Sequence, residues 1–519
     1  MTRSINTLIW LLLGILAVRL GLTAILPLAD TTEPRYAEIA RIMAESGDWI
    51  TPWFDYGVPF WGKPPLSFWS QAVSFRIFGV SEFAARLPSW LANGGVVYLI
   101  YTLGRYLHAD HNSVSARTNG LWAALIYATT SLGFVSAGTV MTDSFLVLGT
   151  TLTLSSLVIR LQGGSRAWGW LFFVGLAVGL LAKGPLVIVL TGLPVFLWVM
   201  ATRQWNLLYR AVPWVRGSAL MLALATPWYV LAELKTPGFI DYFIIGEHFK
   251  RFLVSSWQGD LYGNAHEFPR GTIWWYLVLA SFPWGIIALA ALGKQLLRRS
   301  GSLPESAWQT DYKGIPGLIL ASALSPALFF TLSGNILWTY VLPGLPFLAI
   351  WIARLLPANA GSRLSGFRRA SIALTPVIAI LASGWLAFHP SLIKSEQQVV
   401  QRIEQMPGVS AKNLVYVDKA PFSARFYSEG QVQSVSTDEI DRQMRDASFT
   451  GPMYIAVGKG DKRTLKLVED RATRFDQDRR FIIFRLEPDE NTADRGRSPT
   501  GQNHAGDAAG WSEHRGLAG

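Results

Sequence analysis

Residues 30–88 read DTTEPRYAEIARIMAESGDWITPWFDYGVPFWGKPPLSFWSQAVSFRIFGVSEFAARLP, a charged, Trp- and Pro-rich stretch between two apolar spans. It offers Asp30, Glu33, Arg35, Glu38 and Lys63 beside Tyr36, Trp49, Trp53, Trp61 and Trp69. Acids, bases and amphipathic rings gather where lipid meets water. The stretch therefore predicts an active surface at the membrane boundary.

The rest of the chain sets that surface in a bilayer. Of 519 residues, 50% are hydrophobic, only 16% are charged, and 22 are tryptophan, far above the usage of a soluble chain. This is the composition of a polytopic α-helical membrane protein. The first apolar span, residues 5–28, carries one charge, Arg19, and exceeds the roughly 20 residues needed to cross a hydrocarbon core. Arg3 precedes it and no small-residue cleavage site with a soluble sequel follows, which predicts an uncleaved first helix. Further apolar stretches at 84–103, 119–137, 143–160, 167–182, 185–201, 217–233, 271–293, 315–332, 335–353 and 370–388 bring the expectation to about eleven spans or more. Cysteine is absent, which removes disulfides and thiolate chemistry.

Lysines and arginines cluster in alternate loops, around Arg105 and Arg117, Arg160 and Arg166, Arg203 to Arg216, Lys294 to Lys313, and Arg354 to Arg369. The positive-inside rule makes those loops cytoplasmic. The first external loop, 29–83, the large external loop, 234–270, and everything after about residue 389 then lie outside. Orientation and contact with anionic membrane lipid account for much of the +11 net charge without a nucleic-acid partner. After His389-Pro390 the sequence turns polar. Strand-like runs at 413–417, 452–457 and 480–486 alternate with helical patterns at 437–447 and 462–472, which predicts a small extracytoplasmic α/β domain over 391–488 with three or four strands. Residues 489–519 are rich in Gly, Asp, Asn and Ser and predict a disordered tail. The GKGD at 458–461 lacks the spacing of a phosphate loop.

In TTEPRYAEIARIMAESGDW, Pro34 suits a first helical turn, Thr32 or Glu33 can cap, and Ile39, Ile42 and Met43 form an apolar stripe ending before Gly47. That predicts a helix lying along the membrane surface. Asp30 and Glu33 stand at its start, where backbone N–H groups also favour an anion such as phosphate. They are candidates for acid–base work, although capping alone would also place acids there. Two prolines after Lys63 fix the backbone, so its ammonium is suited to clamp a phosphate; a lysine snorkelling among tryptophans is the plainer alternative. Asp143 and Lys183 sit at the outer ends of two spans, where helix capping competes with function as their explanation. The large external loop concentrates Glu247, His248, Lys250, Arg251 and His266 in a chain with seven histidines. Their spacing fits no strong zinc pattern, so a divalent metal is the lesser expectation, and donation to an anion or hydroxyl the greater.

Taken in order, the E-P-R-Y-A-E-I-A-R helix, S-G-D-W, K-P-P-L, A-A-R-L-P, T-D, L-A-K-G-P, E-H-x-x-R-F and T-Y-V-L-P-G-L-P resemble the GT-C glycosyltransferases. The branch they resemble contains the lipid A aminoarabinose transferase and the dolichyl-phosphate-mannose protein mannosyltransferases. The likeness runs from about residue 5 to 355, within a membrane domain spanning residues 1–390. It implies an enzyme of the bacterial inner membrane that moves a sugar from a polyprenyl-phosphate donor to a glycolipid or protein acceptor on the periplasmic side, with inversion and without a required cofactor. Carried over by motif, Glu33 and Tyr36 match the acidic interfacial helix, Lys63 the phosphate-binding lysine, Asp143 the acid of the second external loop, Arg251 and His266 the large-loop cations, and Tyr340 the tyrosine before the final L-P. Together with the residues read above, the candidate catalytic acids are Asp30, Glu33 and Asp143, and the candidate substrate-binding residues Arg35, Tyr36, Lys63, Lys183, Glu247, His248, Arg251, His266 and Tyr340. There are two departures. The family commonly has an aspartate where Thr32 stands, leaving the base open between Asp30 and Glu33. Its lipid A-modifying member has a glutamate where Gly62 stands, which weakens the case for a metal. A lipid-linked-sugar flippase or exporter, and a non-catalytic membrane scaffold, are the competing classes. The gathering of charge in external loops rather than at mid-membrane favours the enzyme.

Overall fold

A computed structural model describes residues 2–108, 110–254, 257, 259–263, 268–297, 313–355, 366–446 and 451–487. The helices run in chain order α1 (Thr2–Leu22), α2 (Thr32–Ser46), α3 (Leu66–Phe78), α4 (Glu82–Tyr106), α5 (Val114–Thr129), α6 (Ser131–Ser136), α7 (Asp143–Leu161), α8 (Arg166–Lys183), α9 (Leu186–Thr202), α10 (Trp205–Ala211), α11 (Trp214–Lys235) and α12 (Arg251–Leu253). They continue with α13 (Thr272–Ala280), α14 (Trp284–Leu297), α15 (Ile315–Phe330), α16 (Leu345–Leu355), α17 (Gly366–Phe388), α18 (Gln397–Glu404), α19 (Phe422–Tyr427), α20 (Thr437–Asp446) and α21 (Lys462–Glu469). A π-helical turn over Asp241–Lys250 precedes α12.

Each apolar stretch read from the sequence contains helix. Among the described residues, six helices are long and apolar enough to cross a bilayer, and a bent pair makes a seventh candidate. The stretch at 271–293, read as one span, is instead α13 and α14 meeting at 107°. Pro283 lies at the break; it has no N–H to give to the helix ladder. Apolar side chains of α1, α4, α5, α7, α8, α9 and α13 to α16 form one continuous core. Small residues let two of these helices come together. A Cβ on Gly149 would lie 2.8 Å from the Gly175 carbonyl oxygen and 2.7 Å from the Gly179 nitrogen, so α7 and α8 pack backbone to backbone.

A second core belongs to the first external loop. Strands β1 (Trp53–Asp55) and β2 (Val58–Pro59) form a short antiparallel hairpin. Residues of α2 and α3 pack with Phe60 and with Phe426 of α19. Helix α2 ends as its sequence predicts, with Gly47 at φ 70° returning its N–H to the Met43 carbonyl. Its beginning differs. Thr31 is the N-cap and makes no side-chain capping bond, and the Glu33 carboxylate turns to other partners. The environment differs too. Residues Tyr36 to Met43 are all buried, so protein encloses α2 on every side where a surface-lying helix was expected. Its charges are met internally, with the Arg41 guanidinium held by Glu38 at 2.7 and 2.8 Å.

The chain divides into two compact units, one of residues up to Gln398 together with Pro421–Gly430, the other of Val399–Ala420 and the described residues from Gln431. The second unit holds a five-stranded mixed sheet, β4-β3-β5-β7-β6, made of β3 (Leu414–Val417), β4 (Gln433–Val435), β5 (Met453–Gly458), β6 (Thr473–Gln477) and β7 (Phe481–Leu486). Strand β3 runs parallel to β4 and β5, while β7 is antiparallel to β5 and β6. Three or four strands were expected; the additional ones are short or polar. Val415, Ile455, Val457, Val468 and Phe484 form the core of this unit. The tail expected to be disordered, 489–519, lies outside the described residues.

Candidate active site

Close packing of α7 on α8 brings the outer ends of the two helices together. Asp143, in the first turn of α7, accepts a 2.6 Å bond from the Lys183 ammonium in the last turn of α8. The same ammonium lies 5.1 Å from the ring centre of Tyr340, in the 3-10 turn Trp338–Gly344. Tyr340 is also in electrostatic reach of Arg251, Lys63, Asp143 and Glu247. Residues separated by nearly 280 positions thus share one polar site.

The π-helical turn supplies the other wall. Glu247 accepts from Arg251 Nη1 at 3.0 and 3.1 Å and from the Lys63 ammonium at 3.4 Å. Arg251 also faces Asp260 at 3.2 Å. Burial alone would raise the Glu247 carboxyl, but Lys63 and Arg251 outweigh it and hold the group below the usual carboxylate range. His248 turns its Nε2 toward the Lys183 carbonyl oxygen at 3.1 Å and its Nδ1 toward that of Phe243 at 2.7 Å. Burial pushes the imidazole down despite these contacts, and the neutral ring has one N–H to donate to one of these two carbonyls. Among the described residues, the buried Arg251 Nε has no hydrogen-bond acceptor.

The site therefore gathers Lys63, Asp143, Lys183, Glu247, His248, Arg251 and Tyr340. It does not gather the expected residues of α2. Glu33 accepts a fork from Arg86 at 2.8 and 3.0 Å and a third bond from the Val140 N–H at 3.0 Å. Arg86 is buried and also donates to the carbonyls of Thr23, Leu26 and Pro27. Asp30 accepts from the Ser423 N–H at 3.0 Å and from its hydroxyl. Arg35 donates to the Tyr262 carbonyl at 2.6 Å, and Tyr36 packs edge-on to Phe60 and Phe68 in the loop core. His266 lies outside the described residues. Reading by sequence missed Asp260, Arg86 and Ser423. Arg86 stood in the quoted A-A-R-L-P motif, but nothing local marked Glu33 as its partner.

Among the described residues, no three His, Asp or Glu side chains come together as a metal-binding group. At Gly62 a Cβ would lie 2.8 Å from the Phe60 ring.

Apolar helices long enough to cross a bilayer, with a polar site at the paired ends of α7 and α8, make this a polytopic helical membrane protein. The family model for dolichyl-phosphate-mannose-protein mannosyltransferase matches residues 6–243. An undecaprenyl phosphate-alpha-4-amino-4-deoxy-L-arabinose arabinosyl transferase of Pseudomonas aeruginosa is 31% identical over 396 residues, 72% of this chain and 65% of the relative. The transferase of the same name from Aeromonas hydrophila is 30% identical over 380 residues, 70% of this chain and 63% of the relative. The chain thus spans a little under two thirds of the length of these curated relatives. The crystal structure of ArnT from Cupriavidus metallidurans bound to undecaprenyl phosphate shares the fold, with a TM-score of 0.72 at 18% identity, over 92% of this chain and 98% of that one. By sequence the chain is similar to the aminoarabinose transferases and, over residues 6–243, to the protein mannosyltransferase model, and it shares the fold of the ArnT structure.

Proposed function

We propose that this protein moves a sugar from a polyprenyl-phosphate donor to an acceptor at the periplasmic face of the inner membrane, with a lipid A-type glycolipid as the favoured acceptor. Eleven spans in residues 1–390, with the α/β domain of 391–488 on the periplasmic side, are part of this reading. The observation that carries it is the convergence of Lys63, Lys183 and Arg251 around Tyr340, each with a carboxylate partner. In the transfer, the bond between the anomeric carbon and the donor phosphate oxygen breaks, and its electron pair stays on the phosphate. A new bond forms from the anomeric carbon to an acceptor oxygen on the opposite face. The protein has to stabilise charge growing on the departing phosphate, and cations fixed in a water-poor site do so strongly. Lys63 and Arg251 are the best positioned for it, exchanging Glu247 for phosphate oxygens. The buried Arg251 Nε suits one of them.

Any proton on the acceptor oxygen needs a base. Asp143, paired with Lys183, is our assignment among the three candidate acids, because Asp30 and Glu33 are committed to Ser423 and Arg86. Charge neutralisation by side chains supports a reaction without a required cofactor. The test is mass spectrometry of lipopolysaccharide, lipids and envelope proteins from cells with and without the gene, and with Lys63→Ala at matched membrane abundance. A sugar-mass increment lost in both, with the lipid-linked sugar accumulating, supports the transferase and names the acceptor. Unchanged products with the donor retained on the cytoplasmic side would replace it with a flippase.

A further inference from the structure

The link between β3 and β4 is a parallel crossover, which requires an intervening excursion of the chain. Its middle part, Pro421–Gly430 with α19, belongs to the compact unit of residues up to Gln398 rather than to that of the sheet. Phe426 is buried in the loop core, and Ser423 and Ala424 are fully enclosed. Ser423 holds Asp30, while the Tyr427 hydroxyl accepts from the Leu28 N–H at 2.7 Å and donates to Glu82 at 3.0 Å.

The opposite side of α19 meets the β1–β2 hairpin. Arg425 pairs with Asp55 at 2.5 Å, and Phe422 lies edge-on to Phe54 at 5.2 Å. Phe54 packs on Tyr262 at 5.1 Å, and the Tyr262 hydroxyl donates to the Pro59 carbonyl at 2.8 Å and accepts from the Trp61 N–H at 3.1 Å. Lys63 follows Trp61 by two residues, in a segment with no regular secondary structure of its own. We propose that α19 is a positioning clasp for the Lys63 segment: Arg425 and Phe422 fix the hairpin, and the hairpin and Tyr262 fix the register of Trp61 and Lys63. This rests on the reading of Lys63 as a ligand of the donor phosphate.

The Arg425–Asp55 pair makes the proposal testable at the partly exposed Asp55; Arg425 is 13% exposed and lies over the Phe422 ring, so the melting temperature is read beside the affinity for every variant. The full chain, purified in detergent, is titrated with undecaprenyl phosphate as the probe. Asp55→Arg and Arg425→Glu are each expected to raise Kd about three- to tenfold, and the double reversal to return it to within about twofold of the parent. Lys63→Ala is the control and is expected to lose binding further. Single reversals that bind like the parent while Lys63→Ala loses binding would overturn the clasp. So would a double reversal no better than the singles. Parent-like binding by Lys63→Ala would overturn the phosphate reading, and the clasp with it. If a reversal lowers the melting temperature, Arg425→Gln carries the same expectation of weakened binding at parental stability, and parental binding there would overturn the clasp.

Discussion

Two buried ion-pair systems in the first unit differ in what their partners leave free. Around Glu33, every donor is fixed: Arg86 is held by three backbone carbonyls and the third bond comes from a backbone N–H. Around Glu247, the donors are the ends of two long side chains, one of them 3.4 Å away, and one buried guanidinium nitrogen has no acceptor among the described residues. The first arrangement has no vacancy for a ligand and ties α1, α2, α4 and the start of α7 together. The second can exchange one anion for another. Burial and charge are common to both, so neither distinguishes a strut from a site. The difference lies in the saturation of the partners.

The largest expected effect comes from breaking the strut. Arg86→Ala leaves Glu33 charged, buried and without its fork, at a cost of about 3–5 kcal/mol. The variant is expected to fall in membrane abundance and in melting temperature, and Glu33→Ala to do likewise. A Glu33→Ala protein of parental melting temperature with no transferase activity would erase the comparison and return Glu33 to the chemistry. Next in size is Lys63→Ala. A charge-assisted bond to a phosphate contributes about 1.5–3 kcal/mol, so affinity for undecaprenyl phosphate should drop about ten- to a hundredfold with the melting temperature little changed. Equal losses of stability and affinity would make Lys63 a second strut.

Much of this was legible in the sequence, for physical reasons that also mark where legibility ended. Apolar runs fell on α1, α4, α5, α7, α8, α9 and α13 to α16, although the run at 271–293 is two helices and, among the described residues, six or seven candidates are long enough to cross a bilayer; Gly47 marked the end of α2 because only a residue tolerant of positive φ ends a helix that way. The charges of Lys63, Asp143, Lys183, Glu247 and Arg251 stood out because ionised groups beside apolar spans need partners. What failed was everything set by distant pairing. Glu38 and Arg41 pair locally, three residues apart, but their burial is set by the distant segments that enclose α2. Arg86 is 53 positions from Glu33 and Ser423 is 393 from Asp30, so no local pattern marks either partner. Strands β4 and β6 were missed because QSV is three residues long and TRFDQ is polar except for Phe475. Their place in the sheet is set by neighbouring strands rather than by propensity.

A smaller effect sharpens the contrast through pH. The Glu247 carboxyl is held below its ordinary value of 4.5, so the folded protein binds fewer protons there than the unfolded chain. The stabilisation is therefore complete above that value and is lost as the pH falls through it toward the folded value. Melting temperature measured on the acid side should decline, and Glu247→Gln should flatten that decline while lowering stability near neutrality, where Lys63 and Arg251 lose their counter-charge. An unchanged acid slope in Glu247→Gln would mean that other carboxylates dominate it.

The smallest expected effect is at Asp48, which resembles the strut in miniature. Its carboxylate accepts from the Ile50 and Thr51 N–H groups at 3.0 and 3.1 Å, from the Trp53 indole at 2.8 Å and from Lys235 at 2.5 Å. Lys235 is 41% exposed, so water screens the pair and replaces the ammonium readily. Lys235→Ala should cost at most about 1 kcal/mol. Asp48→Ala leaves two backbone donors and an indole without their acceptor, and should cost about 1–3 kcal/mol. Thermal melts of the two variants side by side decide the point. If Lys235→Ala proves the costlier, saturation by fixed donors is not what holds these carboxylates, and the distinction drawn between Glu33 and Glu247 loses its basis.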